Sequence, residues 1–548
     1  MYPASKHVQK TFEQLIALLP AMEKTKPQVI LLAGEVLGFR NDTDRELTFR
    51  QESNFYYLTG CDVPSSFLLA AYQPGTSLEQ KPPSVDLFIP EANEADIMWS
   101  VPPPSLEAAA QIHDVTRIDH ASTLPEAIAA MLAALPGALV HTLTRDSPRF
   151  PTLPSEFISP IIANESAAAT DLYLYAALHN ARLTKDIHEI EEIRHANAIS
   201  SRAHEVVMRV LGLTVKNGLK SAAAAAGRPL LPGEWLIEKE AEAEAIFIAS
   251  CRREGSVHQA YPPIVAASTR ASTLHYCCND KEFAWGPVGP HDHYNNQPFV
   301  AKAKHVFPQV LLIDAGCEWR NYAADITRTM PVGNGGKFTP EARAIYSLVL
   351  EMQDASFALL KPGVHWDEVH RVCHTALIRG FQRLGIFRVG PNEKEILASG
   401  LSAAFFPHGV GHSLGLDVHD VPSVSKAVDK VTGKLVVFGQ GREAAVEFEN
   451  VDEEWGPPNC YEYLRLRRPL AQGMVVTVEP GIYFSPHLLG RAQAHTSPFV
   501  DSEALKRYEP VGGVRIEDVV HITEDTYQNL TTVRSDVEWV EGVCSGEL

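Results

Sequence analysis

Residues 310–330, VLLIDAGCEWRNYAADITRTM, deliver two aspartates within a short span of chain. The apolar run 310–313 reads as a buried strand that ends on Asp314. Ala315-Gly316 turns the chain, and YAADITRT delivers Asp325, which shares a face with Thr327 if that segment is extended. Two carboxylates aimed at one spot repel unless a cation lies between them, and a pair of divalent ions is the usual answer. A hairpin with both acids in water accounts equally well for this stretch taken alone.

Three downstream stretches point to the ions. Residues 406–420, FPHGVGHSLGLDVHD, hold His408, His412 and His419 among glycines. Gly409 and Gly411 make a helix poor there, so a tight loop that brings backbone close to a site is expected. From Leu416 the residues alternate, which would aim Asp417 and His419 the same way. In GMVVTVEPGIYF (473–484), Val475, Thr477 and Glu479 share one strand face. A carboxylate on so apolar a strand must be paired, protonated or metal-bound. GGVRIEDVV (512–520) repeats the device with Arg515 and Glu517. Together Asp314, Asp325, His412, Glu479 and Glu517 supply four carboxylates and one imidazole, whose charge would neutralise two divalent cations. Oxygen-rich ligation with one nitrogen suits Mn(II), Co(II), Mg(II) or Zn(II) and gives no reason for copper or iron–sulfur chemistry.

The elements that must position these residues follow from periodicity. Residues 7–19 read as an amphipathic helix; 29–34, 66–72 and 85–90 as strands; 124–135 as a helix. That alternation makes an α/β domain, with the aromatic stretch 49–60 read as packing. Residues 165–186 read as the crossing into a second domain that begins with a long helix. The Ala-rich 221–227 reads as an insertion, 234–248 as a helix, 256–276 as an extended segment ending at His275, and 285–298 as a surface loop. Thr339-Pro340 is a helix start, Lys361-Pro362-Gly363 stops that helix, and a further helix runs from Trp366 to Leu384.

At 548 residues the chain exceeds one ordinary core, so two domains are expected. The formal net charge of −19 argues against a nucleic-acid partner, and no apolar run approaches a membrane span. No signal-peptide core is visible, and the eight cysteines lack any CxxC pair, which fits reduced thiols in a cytoplasmic protein.

HGVGHSLGLDVHD, DAGCEWRNYAADITRT, MVVTVEPGIYF and GGVRIED resemble the metal-site motifs of the pita-bread metallopeptidases specific for Xaa-Pro bonds, the Xaa-Pro aminopeptidases and prolidases. FRQESNFYYLTG resembles a segment of their N-terminal domain. The resemblance implies an aminopeptidase-P-like α/β domain over residues 1–175 and a pita-bread (α+β, two-metal) catalytic domain over 176–548. It implies two divalent ions per subunit, with manganese expected, held by Asp314, Asp325, His412, Glu479 and Glu517, of which Asp325 and Glu517 bridge both. His408 and His419 match residues that orient substrate and stabilise a tetrahedral intermediate, and Glu479 would also relay a proton. Tyr261 and His275 match the lining of the proline and metal pocket, Arg515 a basic residue beside the bridging glutamate, and Arg465 the arginine with which prolidases hold a substrate carboxylate.

The implied activity is hydrolysis of the bond between an N-terminal residue and a penultimate proline by a metal-bridging hydroxide, on small peptides, in a homodimer. A strict Xaa-Pro dipeptidase is the alternative within that class. A metal-free binding module of the same fold would lack several of the five donors, as would a metal-free hydrolase acting on an amidine. The large N-terminal domain disfavours a methionine aminopeptidase. Two loops, 281–307 and 422–458, depart from the family pattern and leave the register of Arg465, and so dipeptide preference, open.

Overall fold

A computed structural model gives the fold. It describes the chain except residues 76, 144–149, 165, 218–227, 230, 232–233, 284–305 and 422–456. The Ala-rich insertion, the 285–298 loop and nearly all of the 422–458 segment therefore lie outside the described residues. The chain forms two compact units, Met1–Thr184 and Lys185–Leu548.

The N-terminal unit is an α/β domain built on a six-stranded sheet. Its strands are β1 (Gln28–Ala33), β2 (Phe67–Tyr72), β3 (Ser84–Ile89), β4 (Arg117–His120), β5 (Leu139–His141) and β6 (Ala168–Thr170). They lie in the order β4-β3-β2-β1-β5-β6, with β1 antiparallel to β2 and parallel to β5. Every residue of β1 is buried, as expected of a central strand covered on both faces. The helix Ala4–Leu18 buries Ala4, His7, Val8, Thr11, Phe12 and Leu15, a stripe of helical period. The aromatic stretch forms the fully buried helix Ser53–Thr59, capped at Gly60 in the left-handed region, so packing is its role in this unit.

The C-terminal unit assembles small antiparallel sheets. Strand β7 (Ile264–Ala267) pairs with β8 (Gln309–Asp314), and β8 with β11 (Thr327–Val332). Between β8 and β11, the short strands β9 (Glu318–Trp319) and β10 (Tyr322–Ala323) make a hairpin. Its two loop residues, Arg320 (φ 47) and Asn321 (φ 65), both take positive φ, the signature of a type I′ turn. Gly316 is required where the chain folds back, because a Cβ there would sit 1.9 Å from the Ala324 carbonyl oxygen. Further on, β12 (Val475–Val478) pairs with β15 (Asp518–Ile522), β13 (Gly481–Tyr483) with β14 (Gly513–Arg515), and β15 with β16 (Tyr527–Asn529). Helices Ile187–Asn217, Pro340–Phe357 and Trp366–Leu384 belong to this unit. Thr339 accepts the Ala342 amide, as the sequence signal requires, and Gly385 closes the last of these helices at φ 76.

Three sequence expectations change. The 234–248 helix starts only at Glu240 and runs to Arg253, because residues 238–240 first pair with 281–283 through Phe283 N–H to Glu238 O and Glu240 N–H to Lys281 O. The segment leading to His275 is not extended throughout: after β7 it coils into a 3-10 turn, Ser268–Ser272, where Arg270 turns inward onto Glu240. Residues 416–420 bend rather than alternate, because the Asp420 carboxylate caps the Asp417 amide at 3.3 Å and takes the Lys185 ammonium at 2.7 Å.

All eight cysteines are free, six of them buried. Among the described residues no helix is long and apolar enough to cross a membrane.

Candidate metal centre

Each acid reaches the site from a chain segment fixed by its neighbours. Asp314 ends β8, directly opposite Thr327 of β11. Asp325 lies two residues before β11, and Glu517 forms an antiparallel bridge with Thr327. Glu479 follows β12. The 408–412 loop runs along that strand, exchanging Thr477 N–H to His412 O at 2.9 Å and Glu479 N–H to Val410 O at 2.8 Å. The approach is so close that a Cβ on Gly411 would meet the Thr477 carbonyl oxygen at 2.0 Å, which explains the glycines of this loop.

The donors converge. Nδ1–H of His412 donates to Ser413 O at 3.1 Å, which leaves the Nε2 lone pair facing Asp325 Oδ2 at 3.3 Å and Glu479 Oε1 at 3.4 Å. A lone pair aimed at two carboxylates is repulsive unless a cation or a proton lies between. Donor atoms of Asp325, His412 and Glu517, one from each, lie within 4.8 Å of one another. Tyr261 Oη–H lies 2.5 Å from both Asp314 Oδ1 and Asp325 Oδ1, tying those two acids together.

Arg515 is the cation that touches these acids among the described residues. Its guanidinium donates to Asp314, to Thr327 Oγ1 at 3.0 Å and to the Tyr483 hydroxyl at 2.8 Å. Thr327 in turn donates to Glu517 Oε2 at 2.6 Å. One guanidinium against four carboxylates leaves the site strongly electronegative. Burial, with Asp325, Glu479 and Asp314 nearby, pushes Glu517 well above the usual carboxylate range. Burial likewise raises Glu479 to about 7, against the pull of His412. Burial alone would depress His412, but Asp325 and Glu479 beside its ring hold it above the ordinary value. A buried set of oxygen donors with one oriented imidazole, short of positive charge, fits hard divalent cations.

The other histidines divide. His408 donates Nδ1–H to Gly409 O at 2.8 Å, so its Nε2 accepts from the Tyr483 hydroxyl at 2.8 Å. Burial and then Arg515 lower its pKa to about 3, keeping it neutral. His419 stacks edge-on against His412 with ring centroids 4.4 Å apart. Arg465 Nη1–H donates to His419 Nδ1 at 2.6 Å, so the His419 Nε2 carries its proton and can act as a donor. Burial, His412 and Arg465 all push His419 below its usual range. His275 is exposed on a turn after Ser268–Ser272, close enough for its charge to lower His408 and His419.

The sequence argument passed over Thr327, Thr477 and Tyr483 as parts of the site. Thr477 Oγ1 accepts the His412 amide at 3.0 Å and lies 3.3 Å from Glu479 Oε1. Two of the three share a strand face with an identified acid, Thr327 with Asp325 and Thr477 with Glu479, so that alternation was the available signal. Tyr483 offered none beyond its place in GIYF.

This fold and donor set define a metallopeptidase, and the chain belongs to metallopeptidase family M24, whose family model matches residues 191–524. The aminopeptidase P N-terminal domain matches residues 5–140. The chain is 35% identical over 543 residues to a probable Xaa-Pro aminopeptidase PEPP of Paracoccidioides brasiliensis, spanning 98% of this chain and 96% of the relative. Aminopeptidase PepP of Pseudomonas aeruginosa superposes with a TM-score of 0.68 at 27% identity, over 100% of this chain and 99% of that one. Zinc-substituted E. coli aminopeptidase P in complex with product matches at 25% identity with a TM-score of 0.68, over 98% of each chain.

Proposed function

We propose that this chain is a proline-specific aminopeptidase that removes the N-terminal residue from peptides with proline second. The observation that carries the chemistry is the convergence of Asp325, Glu479 and Glu517 on His412, whose Nε2 lone pair faces the first two, with Asp314 tied to Asp325 through Tyr261. The relatives' activity names the substrate class and favours an aminopeptidase over a strict dipeptidase or a metal-free binding module.

Asp314, Asp325, His412, Glu479 and Glu517 would hold two divalent ions. When bound, such a pair polarises a carbonyl and lowers the pKa of water. The residues around it do the rest. His419, held by Arg465 with its Nε2–H free, donates to the oxygen on which charge develops. Glu479, whose carboxylate lies 3.4 Å from His412 Nε2, is the acid placed to take and return a proton. Arg515 and Tyr261 keep the acids oriented. Neutral His408, fixed through Tyr483, is a positioned contact for the substrate peptide. Arg465 offers a fork for a peptide carboxylate. Manganese as the ion, a homodimer and a cytoplasmic location complete the reading.

The test is paired. Bound metal is measured by elemental analysis, and hydrolysis of Ala-Pro and Ala-Pro-Ala is followed before chelation, after it, and after Mn(II) is returned. Loss of both activities on chelation and recovery with Mn(II) is the expected result. Cleavage of Ala-Pro alone would replace this reading with a dipeptidase, and no cleavage by metal-loaded protein would overturn it.

A further inference from the structure

Behind the metal centre, the first turns of the Trp366–Leu384 helix carry three buried side chains that the chemistry above does not use. Trp366, Asp367 and His370 are 0%, 2% and 0% exposed. Each ends on a segment that bears site residues. The Trp366 indole N–H donates to Gly411 O at 3.2 Å, inside the 408–412 loop. Asp367 pairs with Arg467, two residues beyond Arg465. His370 does both jobs at once. Its Nδ1 accepts the Val410 amide at 3.2 Å, and its Nε2 donates to Cys460 O at 2.6 Å.

The two bonds fix the tautomer. An amide N–H can only donate, so Nδ1 carries the lone pair and Nε2 the proton. His374, one turn on, reinforces this: its Nδ1–H donates to Ser402 Oγ at 2.9 Å, and its Nε2 lone pair lies 3.2 Å from His370 Nε2. Phe406 packs against both rings, with centroids 5.2 and 5.1 Å away. Burial lowers His370 to about 4, so the neutral form persists.

Val410 is the middle of the three residues between His408 and His412, and its carbonyl receives the Glu479 amide at 2.8 Å. Its peptide group is therefore held from one side by His370 and from the other by the strand that presents Glu479. Cys460 opens the short segment that ends at Arg465, the partner of His419. A single neutral imidazole thus spans the metal-ligand loop and the substrate-facing arm.

We infer that His370 is a positioning residue of the peptidase, which sets the 408–412 metal loop and the 460–465 arm in register through one donor and one acceptor. The inference rests on the function proposed above, but its two links can be tested separately. His370→Asn puts an amide oxygen near the position of Nδ1 and keeps the acceptor for Val410. His370→Gln puts an amide N–H near the position of Nε2 and keeps the donor for Cys460. Both variants stay polar where the pocket is polar.

Mn(II) affinity is measured by competition with a chromophoric chelator, and kcat and KM for Ala-Pro-Ala at saturating Mn(II). His370→Gln should bind Mn(II) about tenfold more weakly while regaining wild-type KM once saturated, the size of effect seen when a metal ligand loses its support. His370→Asn should keep its Mn(II) affinity and raise KM about fivefold, the worth of one buried hydrogen bond. Equal changes in both variants, or none, would overturn the inference, since a merely space-filling histidine predicts no split. Wild-type protein that binds Mn(II) but cuts no peptide would overturn the function instead, and the affinity arm would still judge His370.

Discussion

Thr327 and Glu517 face each other across an antiparallel bridge, and the threonine hydroxyl donates to Glu517 Oε2 at 2.6 Å while accepting from Arg515 Nε at 3.0 Å. The hydroxyl is fully buried and orients both the acid and the cation beside it. Thr327→Val keeps the shape and deletes the hydrogen bonds. It should weaken metal binding about tenfold and leave secondary structure intact. Metal titration with circular dichroism checks both.

Asp325→Asn and Glu517→Gln each neutralise one acid of the proposed donor set. Each should lower bound metal and cut kcat/KM by a factor of at least about 10³, the scale lost when an essential electrostatic element is removed. The fold should persist, because each variant removes a repulsive buried charge. Full metal content with full turnover in either variant would remove that residue from the donor set.

Arg465 donates to His419, and its guanidinium is pulled below its ordinary pKa by burial. Arg465→Ala should therefore impair two things, the orientation of His419 and the grip on a peptide carboxylate. The expected outcome is a loss of kcat on every substrate, plus a rise in KM of about tenfold that is larger for Ala-Pro than for longer peptides. Equal KM values across peptide lengths would leave only the His419 role.

Lys185 and Asp420 form an ion pair at 2.7 Å in which both side chains are 1% exposed. Removing one partner strands a buried charge, which costs about 3–5 kcal/mol. Lys185→Met should lower Tm and, because Asp420 directly follows His419, reduce kcat in the folded fraction. The double change Lys185→Met with Asp420→Leu should restore much of the Tm without restoring kcat. Differential scanning calorimetry beside steady-state kinetics separates the two effects.

Three buried histidines set an acid limit. Burial lowers His141, His204 and His370 from 6.5 to about 4. All are neutral in the folded protein, whereas the unfolded chain takes up protons below pH 6.5. Their contribution is complete above pH 6.5 and is lost as pH falls towards 4. Glu479 works in the opposite sense, because a carboxyl raised from 4.5 to about 7 favours the folded state as pH drops through 7. His374 and His408 are lowered as well and Glu517 is raised beside Glu479, so the lowered histidines outnumber the raised acids of the site and set the sign. Metal-free protein should melt roughly 5–10 °C lower at pH 5 than at pH 7, and a flat Tm over that range would contradict the assignment.

The acids were legible in the sequence because strand alternation and apolar context expose a carboxylate that has no business on a buried face. Asp314 at the end of β8 and Glu479 after β12 are read this way, and Thr339-Pro340 announces the start of the Pro340–Phe357 helix. What stayed hidden depends on partners distant in sequence. Residues 416–420 alternate in polarity yet bend, since Lys185 draws Asp420 inward. The chain after β7 coils because Arg270 reaches Glu240, burying both to within 1% exposure. His370 looks like any histidine on a helix, and its role comes from two backbone groups that no side-chain pattern encodes.

The site also has a temporal side. Thr327 and Glu517 are 190 residues apart in sequence, and Arg515 is 201 residues from Asp314. Contacts of such separation form late, because long loops must close before any of them is rewarded. A chain emerging from the ribosome holds Asp314 and Asp325 long before the strand bearing Glu517 arrives to complete the cage. The complete set of donors therefore comes together only in the finished fold.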